Sequence, residues 1–405
     1  MSEPEPSALL STLSTPDPED WKWRFWPVLP LYPYGTRRTL RTEVVPDRVW
    51  TFDQMHGILY AVVPIRMTVV RLKSGGLFVY APVAPTRECL RLVQELVDRY
   101  GEVQTILLPT SSGLEHKIFA GPFARCFPQA QVFVAPHQWS FPFNLPLSWL
   151  GFPSERTQEL PSDGRFAALG GELDYAVLAL DLGRGAFVEV AVFHRPTRTL
   201  LLTDAVVSIP SEPPPIAQLD PYPLLFHARE SALDPIVDTE ENRRKGWQRI
   251  SLFAIYFGPS KVETLGLKQM LQQAWRASDR SRKAYFGLYP FRWQSDWQQS
   301  FVDLRGGGRP LVAPILQTLI FPQDPQRVHA WVQRVSAWPF ERIIAAHFDA
   351  PIAATPQQFR QAFAFLNPKP EGRAEHLLPQ ADLNYVRSIE AALVKWGIAT
   401  PPRQA

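Results

Sequence analysis

Three short apolar runs separated by helical patterns constrain the fold of this chain more than any other feature. Residues 77–81 and 132–135 are continuously apolar, and 103–108 becomes so from Ile106 on, the pattern of strands buried on both faces. Between the first two, Thr86 stands as an N-cap, Glu88 in the first turn and Gly101 past the end of a predicted helix. Leu90, Val93, Val97 and Tyr100 form its buried stripe. A second helix over 118–126 precedes the third run. Strand, helix, strand, helix, strand requires a sheet covered by helices. Two further strands are predicted upstream, over 58–63 and 67–72, with Lys73-Ser74-Gly75-Gly76 as a turn into the run at 77.

Downstream, 137–171 is rich in Pro, Trp and Phe and reads as loop. Strands resume over 175–180, 187–193 and 199–202, the last ending in Thr203-Asp204. A proline-rich stretch over 210–223 and helices from about 240 to 305 read as an insertion. The chain returns with a helix near 325–337, a strand over 340–345, the loop Ala346-His347-Phe348-Asp349, and two closing helices. The expected organisation is a disordered tail and aromatic strap over 1–45, one domain over 46–355 with the insertion at about 210–305, and C-terminal helices over 356–405.

Composition narrows the function classes. The 405 residues carry a net charge of only +3, whereas nucleic-acid binding needs a concentrated basic face. The best local cluster, Arg243-Arg244-Lys245, reads as the solvated side of a helix. Two cysteines, Cys89 and Cys126, are too few for a disulfide framework or a Cys-based zinc site, and read as free thiols in a reducing compartment. Neither a secretory leader nor a membrane-spanning run is expected, so the predicted location is cytoplasmic. Prolines forbid a continuous helix through Trp21, Trp23 and Trp26. That strap either packs its aromatics on the domain or, with Lys22 and Arg24, contacts the headgroup zone of a membrane.

The loop after 103–108 reads Thr110-Ser111-Ser112-Gly113-Leu114-Glu115-His116. Its frame resembles T-H-x-H-x-D-H, the first zinc signature of metallo-β-lactamase-like hydrolases. Ser111 and Gly113 replace the first two histidines, and Glu115 the aspartate. Arg198-Thr199-Leu200-Leu201-Leu202-Thr203-Asp204 resembles the strand ending in the bridging aspartate of that superfamily. Ile343-Ile344-Ala345-Ala346-His347 resembles the late strand ending in its last ligand histidine. The resemblance covers roughly 55–355, and implies an α+β fold, the four-layer αββα sandwich of glyoxalase II and ribonuclease Z, with a helical insertion. More narrowly, the chain resembles a family of cyanobacterial and plastid proteins of unknown function.

The resemblance implies an asymmetric loss. The places of the first metal's ligands hold Ser111, Gly113 and the His-free stretch 181–185. Those of the second hold Glu115, His116, Asp204 and His347, all able to bind a cation. Two readings follow: one divalent metal, zinc by its ligands, at the second position; or four residues that hydrogen-bond one another without metal. His137 is placed to lean in as a substitute ligand, Asp349 to orient His347, and His227 to cap the pocket from the insertion, while His194 faces a turn. Gly306-Gly307-Gly308-Arg309 lacks the rest of a P-loop and reads as a turn. The expected function is a catalytically silent protein that binds a small molecule or protein partner, as an assembly or regulatory factor. The alternative is a single-metal hydrolase of an ester, thioester or phosphodiester.

Overall fold

Two sheets carry the structure, a computed structural model that describes residues 17–24, 31–58, 60–111, 115–138, 146–161, 163–166, 171–183, 185–367 and 378–395. The first seven strands and two helices in chain order are β1 (Leu40–Val45), β2 (Val49–Ile58), β3 (Ala61–Arg71), β4 (Leu77–Tyr80), α1 (Arg87–Tyr100), β5 (Val103–Leu108), α2 (His116–Arg125), β6 (Gln131–Val134) and β7 (Thr157–Glu159). They form a seven-stranded sheet in sequence order. It is antiparallel through β4 and parallel from β4 to β7. Next come β8 (Asp163–Arg165), β9 (Leu173–Asp181), β10 (Ala186–His194) and β11 (Thr199–Leu202). A long excursion follows: α3 (Pro215–Leu219), α4 (Tyr222–Ala228), α5 (Glu240–Tyr256), β12 (Val262–Thr264), α6 (Leu267–Arg276), β13 (Phe291–Trp293) and α7 (Trp297–Arg305). The chain closes with α8 (Pro325–Ser336), β14 (Arg342–Ala345), β15 (Ile352–Ala353), α9 (Pro356–Gln361) and α10 (Gln380–Lys395). The second sheet has the order β15-β14-β11-β10-β9-β8, with β11 and β14 parallel.

Strand alternation sorts the apolar residues into separate cores. Val79 and Ile106 face α1 and α2, packing with Val93, Val97, Phe119 and Phe123. Their neighbours Phe78, Tyr80 and Leu107 turn the other way, onto Tyr175, Val188, Val190, Leu201 and Ile344 of the second sheet. Leu200, Leu202 and Ile343 point outward from that sheet to Val328, Trp331 and Val335 of α8 and Phe359 of α9. Capping is local and matches the sequence. Thr86 accepts from the Cys89 N–H, Gly101 closes α1 at φ 97°, and Thr355 and Gln358 form a capping box on α9.

The antiparallel half differs from expectation. No strand was predicted before 58, yet β1 and β2 occupy 40–58. The predicted strand over 58–63 contains the β2–β3 turn. The apolar run is unbroken across that turn, so its pattern hides the reversal. Gly57 lies where β2 meets the strap: a Cβ there would stand 2.6 Å from the Tyr32 Cβ, and the two backbones exchange hydrogen bonds of 3.1 and 3.0 Å. The short pair β12 and β13 also lay within a stretch read as helical.

The strap is packed rather than fanned out. Trp23 is 3% exposed and lies against Phe119, and the Arg38 guanidinium lies over a half-buried Trp21. Trp26 and the tail over 1–16 lie outside the described residues. Among the described residues no helix is long and apolar enough to cross a membrane. Cys89 and Cys126 are both free.

The excursion packs above the first sheet: Trp247, Ile250, Phe226 and Phe291 share a core with Met55, Val62 and Phe348. Its tightest point is Gly246 in α5, where a Cβ would fall 1.7 Å from the Leu224 carbonyl oxygen of α4. On an exposed helix Gly→Ala stabilises by about 1 kcal/mol. Here Gly246→Ala is expected to destabilise by about 1–3 kcal/mol, because the contact is with backbone. Urea denaturation of both proteins measures the sign; a higher midpoint for the variant would contradict the packing.

Candidate metal centre

Three loops that leave the carboxyl ends of parallel strands meet at one rim: those after β5, β11 and β14. They deliver Glu115, Asp204 and His347, whose ligand atoms all lie within 4.8 Å of one another. The His347 Nε2 stands 3.3 Å from Glu115 Oε2 and 3.2 Å from Asp204 Oδ1. Its Nδ1 is 3.0 Å from the Pro64 carbonyl. Carbonyl and carboxylates only accept, so both ring nitrogens carry protons while the two acids face it. Burial works against that charge, but Glu115 and Asp204 overrule it and raise the His347 pKa well above the usual value. In return, His347 outweighs burial at Glu115 and holds its carboxyl down to about 2. Glu115 occupies the N-cap position of α2 without capping it; its side chain is committed to His347 instead.

His116, the first residue of α2, is fully buried beside this group, its ring centre 6.3 Å from that of His347. Its Nδ1 lies 3.1 Å from the Pro82 carbonyl, which makes Nδ1 the donor. Burial lowers its pKa, so the ring is neutral and Nε2 is an unprotonated lone pair with no hydrogen-bond partner among the described residues. An orphaned imidazole lone pair beside two carboxylates and a second imidazole fits a divalent cation of the zinc type.

The sequence did not point to four residues that shape this rim. Glu189, in β10, accepts from the Thr203 N–H at 2.6 Å, the Thr203 hydroxyl at 2.6 Å, and the N–H groups of Asp204 and Ala205 at 2.9 and 3.2 Å. Burial, with Asp204 adding, pushes its carboxyl up to about 7 against the pull of those donors. It thereby fixes the loop that presents Asp204. A lone acid inside the apolar run 187–193 was the available signal. Arg66 is clamped between Asp53 at 2.7 Å and the carbonyls of Ala345 and Phe348 at 2.7 and 3.0 Å, on either side of His347. His56, in β2, is buried, with burial and then Arg37 lowering its pKa to about 3. Arg37 can only donate, so His56 accepts it through Nδ1 at 3.4 Å, and Nε2 carries the proton. His56 thus accepts a hydrogen bond behind the site rather than serving as a ligand. Pro64 completes the set through its carbonyl.

Other expected residues lie elsewhere. Asp349 does not orient His347, whose Nδ1 is taken by Pro64; the Asp349 N–H goes to Ser208. His227 does not cap the rim, because its Nε2 is 2.9 Å from the Tyr60 carbonyl inside the helical core. His194 meets the turn hydroxyl of Thr197 at 2.8 Å. His137, at φ 55°, is outside the ligand group and lines a cavity of about 600 Å³ with Gln138, Asp181, Ala186, Asp324 and Arg327. Ser111 donates its hydroxyl to the Ala186 carbonyl at 2.7 Å, while Ser112, Gly113, Leu114 and Arg184 lie outside the described residues. Gly306, Gly307 and Gly308 form a turn with φ of 50°, 76° and 86°.

Residues 46–365 match the family described as a domain of unknown function, DUF4336, and the chain belongs to that family. No curated protein matches it in sequence. Solved structures similar to it include a metallo-β-lactamase from Pontibacter korlensis, at 15% identity and a TM-score of 0.32, covering 43% of this chain and 76% of that one. The protein TMB-1 is similar at 11% identity and a TM-score of 0.32, covering 62% of this chain and 96% of its own. A mutant flavo di-iron protein from Thermotoga maritima is similar at 7% identity and a TM-score of 0.39, covering 81% of this chain and 61% of its own.

Glu189→Gln keeps size and shape but turns an amide N–H₂ toward a cluster of donors. It is expected to cost about 1–3 kcal/mol in urea denaturation. A change below about 0.5 kcal/mol would show that the Asp204 loop does not depend on this carboxylate.

Proposed function

We propose that this chain is a single-metal protein on a four-layer αββα sandwich of the metallo-β-lactamase kind. One divalent cation, zinc by its donors, sits among Glu115, Asp204 and His347, with His116 as the fourth donor. The convergence of Glu115, Asp204 and His347 carries the reading; His116 stands beside that group, its ring centre 6.3 Å from that of His347. The metal serves a binding role, and the chain acts on a small-molecule or protein partner without turnover. Supporting that role, Ser111 spends its hydroxyl on the Ala186 carbonyl at 2.7 Å, and the described residues hold no second ligand set. Glu115 and His347 hold the loops after β5 and β14 together, and Pro64 and Pro82 fix the imidazoles.

One observation favours the hydrolase as a second reading. The Glu115 and Asp204 side chains retain 21% and 24% of their exposure, enough for a substrate to reach the rim. A bound zinc would supply Lewis acidity toward an ester, thioester or phosphodiester oxygen.

Zinc titration with metal analysis of the purified full chain tests the site. About one equivalent is expected, with affinity falling about a hundredfold or more in Asp204→Ala and His347→Ala and less in His116→Ala. Two equivalents, or binding that His347→Ala leaves unchanged, would refute it. Assays of the zinc-loaded chain on ester, thioester and phosphodiester reporters then separate the readings. No turnover above buffer supports the binding role; turnover abolished by His347→Ala establishes the hydrolase.

A further inference from the structure

Helix α6 has more apolar surface than the molecule covers. Ala274 and Ala277 turn toward the protein, Ala274 being buried and Ala277 packed on the helical core. Leu267, Leu271 and Trp275 recur every fourth residue, and each step advances only about 40° around a helix, so they form one stripe. Their exposures are 74%, 60% and 79%. The following turn packs back on α6, since a Cβ on Gly287 would stand 2.9 Å from the Ala274 carbonyl oxygen. That turn projects Phe286, 64% exposed, from a left-handed backbone at φ 59°. Four large apolar side chains therefore lie uncovered in one neighbourhood, whereas isolated exposed apolar residues would need no explanation.

The charged residues of this stretch are mostly basic, and of them Lys283 already pairs with Asp220 at 3.4 Å. From Gly266 to Gly287 the chain holds Lys268, Arg276, Arg280, Arg282 and Lys283 against the single acid Asp279; five less one gives +4, more than the +3 of the whole chain. Asp279 is already engaged by the Tyr222 hydroxyl. Lys268, Arg276 and Arg280 have no acidic partner among the described residues, and Arg280 lies over the exposed Trp275 ring, 6.0 Å from its centre. The other basic cluster is neutralised: Arg243, Arg244 and Lys245 meet Asp238, Glu212 and Glu230 at 2.6, 2.7 and 2.6 Å.

We propose that the Leu267–Leu271–Trp275 face of α6, with Phe286 and its basic rim, docks on an anionic lipid surface. Leucine and aromatic side chains enter the boundary between headgroups and acyl chains, while lysine and arginine meet lipid phosphates and carboxylates. The surface is independent of the Trp21–Trp23 strap and of the metal reading.

Flotation of the full chain with phosphatidylcholine vesicles, with and without about 30 mol % phosphatidylglycerol, tests it. Binding to the anionic vesicles and not to the neutral ones is expected, weakening with added salt. Leu271→Glu/Trp275→Glu should lower it about tenfold or more, and Arg276→Glu/Arg280→Glu should lower it without removing apolar area. All four positions are exposed, so thermal melts of the variants should match the wild type. Absence of flotation, or equal flotation of wild type and variants, overturns the proposal. So does self-association of the wild type that Leu271→Glu/Trp275→Glu abolishes, because the face would then belong to a second copy of the chain.

Discussion

Burial of the Arg66 guanidinium joins the two sheets into one site. A charge with 4% exposure is tolerable only when paired and hydrogen-bonded. Asp53 on β2 supplies the opposite charge at 2.7 Å, and the remaining donors go to Ala345, which ends β14, and to Phe348 in the loop after it. That loop must therefore lie against β3, and the same strand offers Pro64 to the His347 ring. The place of His347 follows from satisfying a cation two residues along β3 from Pro64. Apolar replacements for Arg66 and Asp53 could preserve stability, but nothing would then hold the loop in register.

Much of the parallel region was legible because its signals are local. Apolar runs marked β4, β5 and β6, Thr86 and Gly101 bounded α1, and likeness to a known family's ligand-bearing strands marked Asp204 and His347. The antiparallel region was not, and β2 shows why. It buries Thr51, Asp53, Gln54 and His56 beside Trp50, Phe52 and Met55, a mixture without strand periodicity. Three of these polar side chains meet partners from far along the sequence or from the strap: Asp53 pairs with Arg66, Gln54 bonds Thr39 and Ala84, and His56 accepts from Arg37. Hydropathy carries no trace of such pairings. The same blindness hid Glu189, whose partners are backbone amides fourteen to sixteen residues on.

Two proline carbonyls shape the chemistry of the rim in different ways. Pro82 leaves the neutral His116 with a free lone pair, whereas Pro64 leaves His347 presenting a proton to two carboxylates. A cation entering here would displace that proton and take up the charge already gathered by Glu115 and Asp204. Across the rim, Ser111 joins its loop to the β9–β10 hairpin through Ala186. One side gathers donors and the other fastens backbone.

The strap has a bearing on how far the folded body extends beyond the family match. Arg37 is wholly enclosed, 5.1 Å from the Trp23 ring centre and 4.9 Å from that of Phe119, and donates to Met55 at 2.6 Å. It forms the floor beneath His56. The family match starts nine residues later, at residue 46, so a protease that trimmed the chain to that boundary would pull out the floor and let solvent reach the histidines from behind. The strap is masonry: the stretch that the family match leaves outside is one that the folded body is built upon.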